Sequence, residues 1–106
     1  MANTYVNAKV DLTATSVTVL YTCATSTTAI VKSIIVSEDS GNADTITLTL
    51  TSGSDVYSIY KTKAISANGT TELLTAPLIV QASEILKVTA ATANRLHVIA
   101  SILEIT

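Results

Sequence analysis

Residues that branch at Cβ dominate this chain, and they restrict what it can fold into. Threonine alone occurs nineteen times among 106 residues, and valine and isoleucine supply most of the larger apolar side chains. Two heavy atoms on Cβ leave few χ1 rotamers, which lowers helix propensity and suits the pleated surface of a strand. The sequence therefore predicts an all-β protein.

The clearest strand is predicted at residues 45–51, where threonine and aliphatic residues alternate without a break. A period of two sends Ile46, Leu48 and Leu50 to one face of a half-buried strand. Residues 29–36 are apolar on both faces, which is typical of a central strand.

Further strands are predicted at residues 5–12, 16–22, 56–61, 78–81, 84–89 and 95–105. Residues 37–44 are rich in turn formers and predict a hairpin loop, and residues 51–55 predict a tight turn. Asn68-Gly69 predicts a second hairpin, between residues 62–65 and 71–74. Eight or nine short strands at this spacing indicate a single-domain antiparallel β-sandwich over residues 1–106, similar to a jelly roll.

One stretch, residues 81–104, leaves a helix open as an alternative. Its alanines and leucines recur near helical spacing, at Leu86, Ala90, Ala93, Leu96, Ala100 and Leu103. Val88-Thr89 and residues 97–99 lower helix propensity, and Asn94 is a plausible turn residue. We favour strands here.

Composition bounds the core and the surface. Hydrophobic residues make up 48% of the chain, but phenylalanine and tryptophan are absent, so the core must be aliphatic. Charged residues make up only 13%, about half the usual share, which leaves a surface of threonine and serine with little self-repulsion. We therefore expect a protein that assembles with copies of itself.

Several classes of partner are disfavoured. The net charge is −2, and the six basic residues are scattered singly, whereas binding to a phosphate backbone needs a clustered basic face. The start of the chain lacks the basic and apolar runs of a secretory signal, and no apolar run approaches the roughly 18 residues of a membrane span. Synthesis in the cytoplasm is expected, with neither nucleic acid nor a membrane as partner.

Candidate catalytic residues are few. His97 is the only histidine and Cys23 the only cysteine, so His97 could act as a general base only beside Cys23 or a serine. A histidine in an alternating strand more often has a structural role. We predict no enzyme activity and no cofactor.

A metal site is also disfavoured. One histidine and one cysteine cannot supply the three or four ligands of zinc. Glu38, Asp39, Asn42 and Asp44 could hold calcium through oxygen ligands, but they lack the spacing of an EF-hand loop. A solvated hairpin turn is the simpler interpretation.

A glycan site would need an exposed aromatic platform. The chain offers four tyrosines, of which Tyr57 and Tyr60 are predicted on opposite faces of one strand. A receptor- or glycan-binding module, with one of these two as its platform, is therefore the alternative function.

The succession of apolar strands and turns resembles small virion structural proteins of tailed bacteriophages. The matching segments cover nearly the whole chain: residues 17–23, 29–37, 44–50, 65–74, 84–90 and 96–105. The resemblance implies a β-sandwich on the outside of the head, neck or tail, and it carries no catalytic residue.

Taken together, these inferences predict a non-enzymatic virion subunit, a head decoration protein or a neck or tail accessory protein. Its expected partners are copies of itself, in a symmetric homo-oligomer, and other virion proteins such as capsid or tail subunits. The expected interface residues lie on the second faces of outer strands: Tyr57, Ile59, Ile99, Leu103 and Ile105.

Overall fold

The computed structural model describes residues 2–106, and every regular secondary-structure element in that range is a β-strand. The nine strands are β1 (Asn3–Asp11), β2 (Thr18–Thr22), β3 (Thr28–Glu38), β4 (Asp44–Ser52), β5 (Asp55–Ile65), β6 (Thr70–Glu72), β7 (Leu78–Val80), β8 (Ile85–Ala90) and β9 (Leu96–Ile105). Within residues 2–106 there is no helix with the length and apolar character needed to cross a membrane.

The strands form two sheets. Sheet 1 has the order β1-β9-β3-β6, with β7 also paired to β3, and sheet 2 has the order β2-β8-β4-β5. All the pairings are antiparallel. In each sheet, strands from the first half of the chain pair with strands from the second half, which is the arrangement of a jelly roll. The predicted antiparallel β-sandwich of eight or nine strands is confirmed.

The core lies between the sheets and is aliphatic, as the composition predicts. Tyr21 is the one aromatic side chain among the buried core residues of the described range. The largest fully buried side chains are Leu12, Val31, Ile34, Val36, Ile46, Leu48, Ile65, Leu73, Val80, Leu86, Leu96 and Ile102.

The alternation predicted for residues 45–51 is confirmed in β4. Ile46 and Leu48 are fully buried, and Leu50 packs against the same core. Residues 85–90 and 96–105 form strands, so the helical alternative is wrong, because their β-branched residues and period of two suit the sheet. Asn94 lies in the turn between these strands with a φ of 64°.

Two predicted hairpins are wrong, because the turns connect different sheets. β3 belongs to sheet 1 and β4 to sheet 2, so residues 39–43 cross from one layer to the other. The Asn68-Gly69 turn does form, with the Gly69 amide donating to the Ser66 carbonyl at 3.0 Å, but it joins β5 of sheet 2 to β6 of sheet 1. Turn residues fix a reversal of the chain, whereas the pairing partner is decided by burial elsewhere.

The tight turn at residues 51–55 is a true hairpin. Ser52 pairs with Asp55, and Gly53 adopts a φ of 61° that favours glycine. The segment predicted separately at residues 62–65 continues β5 beyond an irregularity at Thr62, whose φ is 53°. The Thr62 amide donates to the Thr47 hydroxyl at 3.1 Å, so a side chain satisfies a donor at the irregular position.

Candidate interaction surface

Apolar side chains collect on the solvent-facing side of sheet 1. On β9 the residues alternate, so that Val98 and Ala100 enter the core while Ile99 points outward and is 45% exposed. Its neighbours in register are Lys9 on β1 and Ile35 on β3. Covering an exposed group of aliphatic side chains with another surface removes apolar area from water, so such a group often marks a site of contact with another molecule.

A second row of apolar residues crosses the same side of the sheet. Leu103 of β9 lies opposite Tyr5 of β1 and Ile30 of β3, and Ile30 in turn lies opposite Ile79 of β7. We call the whole surface the outer aliphatic face. Its members are Tyr5, Ile30, Ile35, Ile79, Ile99 and Leu103.

The structure brings together some of the predicted interface residues and separates others. Ile99, Leu103 and Ile105 are alternate residues of β9 and share one side of sheet 1. Tyr57 and Ile59 lie on β5 of sheet 2, where Tyr57 is 57% exposed and Ile59 packs partly against the core. The five residues therefore do not form one surface.

Three exposed members of the outer aliphatic face were missed by the sequence analysis: Tyr5, Ile35 and Ile79. The apolar run on both faces of β3 was the available signal for Ile35. Tyr5 and Ile79 stand in short alternating segments, and only the pairing with β9 and β3 places them beside the others.

The predicted arrangement of Tyr57 and Tyr60 on opposite faces of one strand is wrong. The register of β5 shifts at Ile59, so Tyr57 pairs with Leu50 while Tyr60 pairs with Leu48. Directly opposite residues in an antiparallel pair share a face, and Leu48 and Leu50 both face inward. Tyr60 accordingly packs partly against the core, while Tyr57 remains exposed towards the turn at the end of the hairpin.

His97 is paired with carboxylates instead of a nucleophile. Its Nε2 lies 3.1 Å from Asp11 Oδ1, and its Nδ1 lies 3.5 Å from Asp39 Oδ2. A surface depression of about 250 Å³ beside it is lined by Lys9, Val10, Asp11, His97, Val98 and Ile99. That volume is below the usual range of ligand pockets, about 300–1,000 Å³.

Cys23 is remote from His97 and is buried. Its thiol donates to the Thr27 carbonyl at 3.3 Å, and desolvation by burial raises the pKa of the thiol above its ordinary value. Cys23 lies close enough to Glu104 for the Glu104 charge to raise the pKa of its thiol. Glu104 is seven residues along β9 from His97, which corresponds to about 24 Å of strand. The two residues therefore do not form a catalytic pair.

The acidic loop is organised by hydrogen bonds to Glu38. Glu38 is only 2% exposed, and its carboxylate accepts hydrogen bonds from the amides of Ser40 (2.8 Å), Gly41 (3.0 Å) and Asn68 (3.0 Å). It also accepts a bond from the Ser40 hydroxyl. Burial by itself would raise the pKa of this carboxyl, but the hydrogen bonds outweigh it and lower the pKa to about 2.

The other acidic residues of this loop point to separate partners. Asp44 accepts from the Thr92 amide at 3.1 Å, and Asp39 faces His97. Over residues 2–106 no group of three or more histidine, cysteine, aspartate or glutamate residues is placed to hold a metal ion. The predicted turn is solvated at residues 39–43, which are exposed, but it is not a hairpin, since the loop joins two sheets and Glu38 and Asp44 at its ends are buried.

Comparison with known proteins gives a likeness in fold. No protein-family model matches the chain, and no curated protein matches it either. Among solved structures, it is similar to a chain in the acidic stable capsid structure of Helicobacter pylori bacteriophage KHP30. The TM-score is 0.57 and the identity 11%, with 100% of this chain and 94% of the other covered.

Proposed function

We propose that this chain is a non-enzymatic structural protein of a bacteriophage virion, a decoration subunit of the head or an accessory subunit of the neck or tail. The jelly roll supports this role, because it matches a chain of a phage capsid structure over the full length of this one. Its partners are copies of itself and neighbouring capsid or tail subunits.

The observation that carries the proposal is the outer aliphatic face. Apolar area removed from water stabilises a contact by roughly 25 cal/mol per Å². A subunit that covers such a face against a neighbour favours the assembled state over the separated one by mass action. The function is then mechanical: the protein holds adjacent subunits together.

The surface chemistry supports the same role. Only 13% of the residues are charged, and the net charge is −2, so copies packed closely repel one another weakly. Threonine and serine can satisfy neighbouring polar groups across a packed contact without the desolvation that buried charges require.

The test is addition of purified protein to particles that lack it. We expect the wild-type chain to bind, to be found by mass spectrometry at a fixed copy number, and to raise the temperature at which the particles break open. Electron microscopy of these particles then distinguishes head, neck and tail.

The matched variants are Ile99→Asp and Val56→Asp. Ile99 lies on the outer aliphatic face, whereas Val56 is an exposed residue of β5 in sheet 2. Ile99→Asp should fold and fail to bind particles, and Val56→Asp should bind as the wild type does. Equal binding by both variants would overturn the role of the face.

A different outcome would favour recognition of a receptor. Binding of the purified chain to a glycan array, lost on Tyr57→Ala while particles are unaffected by the protein, would replace the structural role with a fibre-tip module. The platform in this outcome would be the Tyr57 ring, which is 57% exposed.

A further inference from the structure

In the part of the chain that the structure describes, the two sheets have four free edges, and only one of them is both long and regular. The edge strands are β1 and the β6/β7 pair in sheet 1, and β2 and β5 in sheet 2. A free edge exposes a row of backbone donors and acceptors that can pair with another chain, and proteins usually protect such edges.

Three of these edges are short or irregular. β6 and β7 have three residues each, and β2 has five with a register shift after Val19. β5 is longer, but its register shifts twice, Thr62 has a positive φ, and Lys61 and Lys63 stand beside it. Lysines and irregularities are common devices against edge pairing.

β1 carries one lysine, Lys9, and no irregularity along its length. Its nine residues, Asn3–Asp11, pair with β9 without a register shift. Within residues 2–106, β9 is its sole strand partner. Nine residues of regular edge are therefore available to a strand from another molecule.

The hydrogen bonds to β9 show which backbone groups face this free edge. Ala2 and Thr106 exchange both of their backbone bonds, at 3.2 and 2.9 Å, and the Leu12 amide donates to Leu96 at 3.0 Å. Because bonded pairs alternate along an antiparallel ladder, the even-numbered residues of β1 bond to β9. The odd-numbered residues, from Asn3 to Asp11, direct their amides and carbonyls outward.

The core-facing side chains of β1 are also incompletely covered on this free edge. Val6, Ala8 and Val10 face the core but are only partly buried, whereas their partners on β9 are almost fully buried. A strand added beside β1 would cover the open side of these three residues. The edge therefore offers both unpaired backbone and apolar side chains that would gain burial.

We propose that β1 pairs antiparallel with β1 of a second copy, about a two-fold axis at Asn7. In this register, bonded pairs form at every odd-numbered position, with Asn7 opposite Asn7 and Tyr5 opposite Lys9 of the second copy. Val6 then lies opposite Ala8 on the core side. The proposal rests on the proposed function and deepens it, because it names a second copy of this chain as the first partner in assembly.

Side-chain pairing and the number of paired positions favour this register over its neighbours. Lys9 meets the Tyr5 ring of the second copy, where a cation is attracted to an aromatic face, and Lys32 of the same chain as that ring lies 5.9 Å from its centroid. Asp11 meets Asn3, whose amide can donate to the carboxylate. Centring the axis on Lys9 instead would oppose two lysines, and centring it on Val6 or Ala8 leaves odd-numbered positions at one end without a partner.

The first test uses Asn7→Pro. Proline is tolerated on an edge strand where its nitrogen faces outward, but it removes the donor at the centre of the proposed pair. We expect the wild type to sediment as a dimer and Asn7→Pro to raise the dimer Kd about tenfold or more, through two lost hydrogen bonds. Circular dichroism checks that the variant folds.

The second test reads the register directly and does not depend on the proline variant. Asn7→Cys places two thiols across the axis at a Cα separation near 5.5 Å, within disulfide range. Lys9→Cys is the matched control, because its two copies would lie about 14 Å apart along the strands. Under mild oxidation the first variant should cross-link and the second should not.

A wild-type monomer at high concentration, an unchanged Kd in Asn7→Pro, or equal cross-linking of both cysteine variants would overturn the pairing. None of these results decides whether the chain belongs to a virion. That question is answered separately, by finding or not finding the chain in purified particles.

Discussion

The hydroxyl of Tyr21 in β2 donates to Oε2 of Glu104 in β9 and so joins the two sheets across the sandwich. Tyr21 is the buried aromatic of an otherwise aliphatic core, and its ring fills space while its hydroxyl reaches a carboxylate nearer the rim. Desolvation and this bond to Glu104 raise the pKa of Tyr21 well above its ordinary value. The phenol therefore remains protonated as the donor through the whole neutral range.

Tyr21→Phe should destabilise the fold by about 1.5–3 kcal/mol, the usual range for losing a hydrogen bond to a charged group. The ring is retained, so the loss isolates the hydroxyl. Urea unfolding followed by circular dichroism measures the difference, and Tyr5→Phe, whose side chain is 73% exposed, is the control. Equal stability of Tyr21→Phe and the wild type would show that the bond between the sheets contributes nothing.

Glu38 should make the protein sensitive to acid. The pKa of its carboxyl is about 2 in the folded state against 4.5 ordinarily, so well above pH 4.5 the carboxylate is ionised in both states and its stabilisation is complete. As the pH falls from 4.5 to 2, the unfolded chain binds the proton first and this stabilisation is lost. We expect the melting temperature of the wild type to fall across this window.

Glu38→Gln should lower the melting temperature by several degrees at pH 7 and flatten its dependence on pH between 4.5 and 2. The amide nitrogen of glutamine cannot accept from the surrounding amides, so the variant is already without the stabilisation that acid removes. Asp55→Asn, at the exposed start of β5, is the control and should retain the slope of the wild type. Parallel curves for the wild type and Glu38→Gln would contradict the assignment.

The sequence predicted the class of fold because its signals are local. The alternation of residues 45–51 requires a strand with one buried face, and the structure buries Ile46 and Leu48 accordingly. The missing phenylalanine and tryptophan required an aliphatic core, which the structure shows.

The order of strands could not be predicted, because it depends on pairs far apart in the chain. β1 and β9 are neighbours although Asn3 and Ile105 stand at opposite ends of the sequence. Turn formers at residues 37–44 predict a reversal without saying whether the next strand joins the same sheet. The same limit hid the outer aliphatic face, whose members come from four strands.

Leu48 should be among the residues that the core tolerates least when shortened. It is fully buried in β4 between the neighbouring strands β8 and β5. Leu48→Ala should cost about 2–5 kcal/mol, since it removes apolar contacts and leaves a cavity. Val56→Ala, at an exposed position of β5, should change the free energy of unfolding by no more than about 0.5 kcal/mol. Similar unfolding midpoints for these two variants would be inconsistent with the burial described.

Glu72 should protect an interruption in the edge of β3. β7 covers residues Ala29 to Val31 and β6 covers Ile35 to Ser37. Between them, the Glu72 carboxylate accepts from the Ile34 amide at 2.8 Å and from the Ser33 hydroxyl.

Glu72→Ala should therefore speed hydrogen exchange of the Ile34 amide while the amides of β9 stay protected. Thr70→Ala, in the same strand, is the control. The exchange of single amides, followed by NMR, measures this, and an Ile34 amide as slow in Glu72→Ala as in the wild type would mean that burial alone protects it. Burial by itself would raise the pKa of Glu72, but the bonds from Ser33, Ile34 and Leu74 outweigh it and lower the pKa. As the carboxylate takes up a proton at acidic pH, the protection of the wild-type Ile34 amide, measured against its intrinsic exchange rate at each pH, should therefore fall.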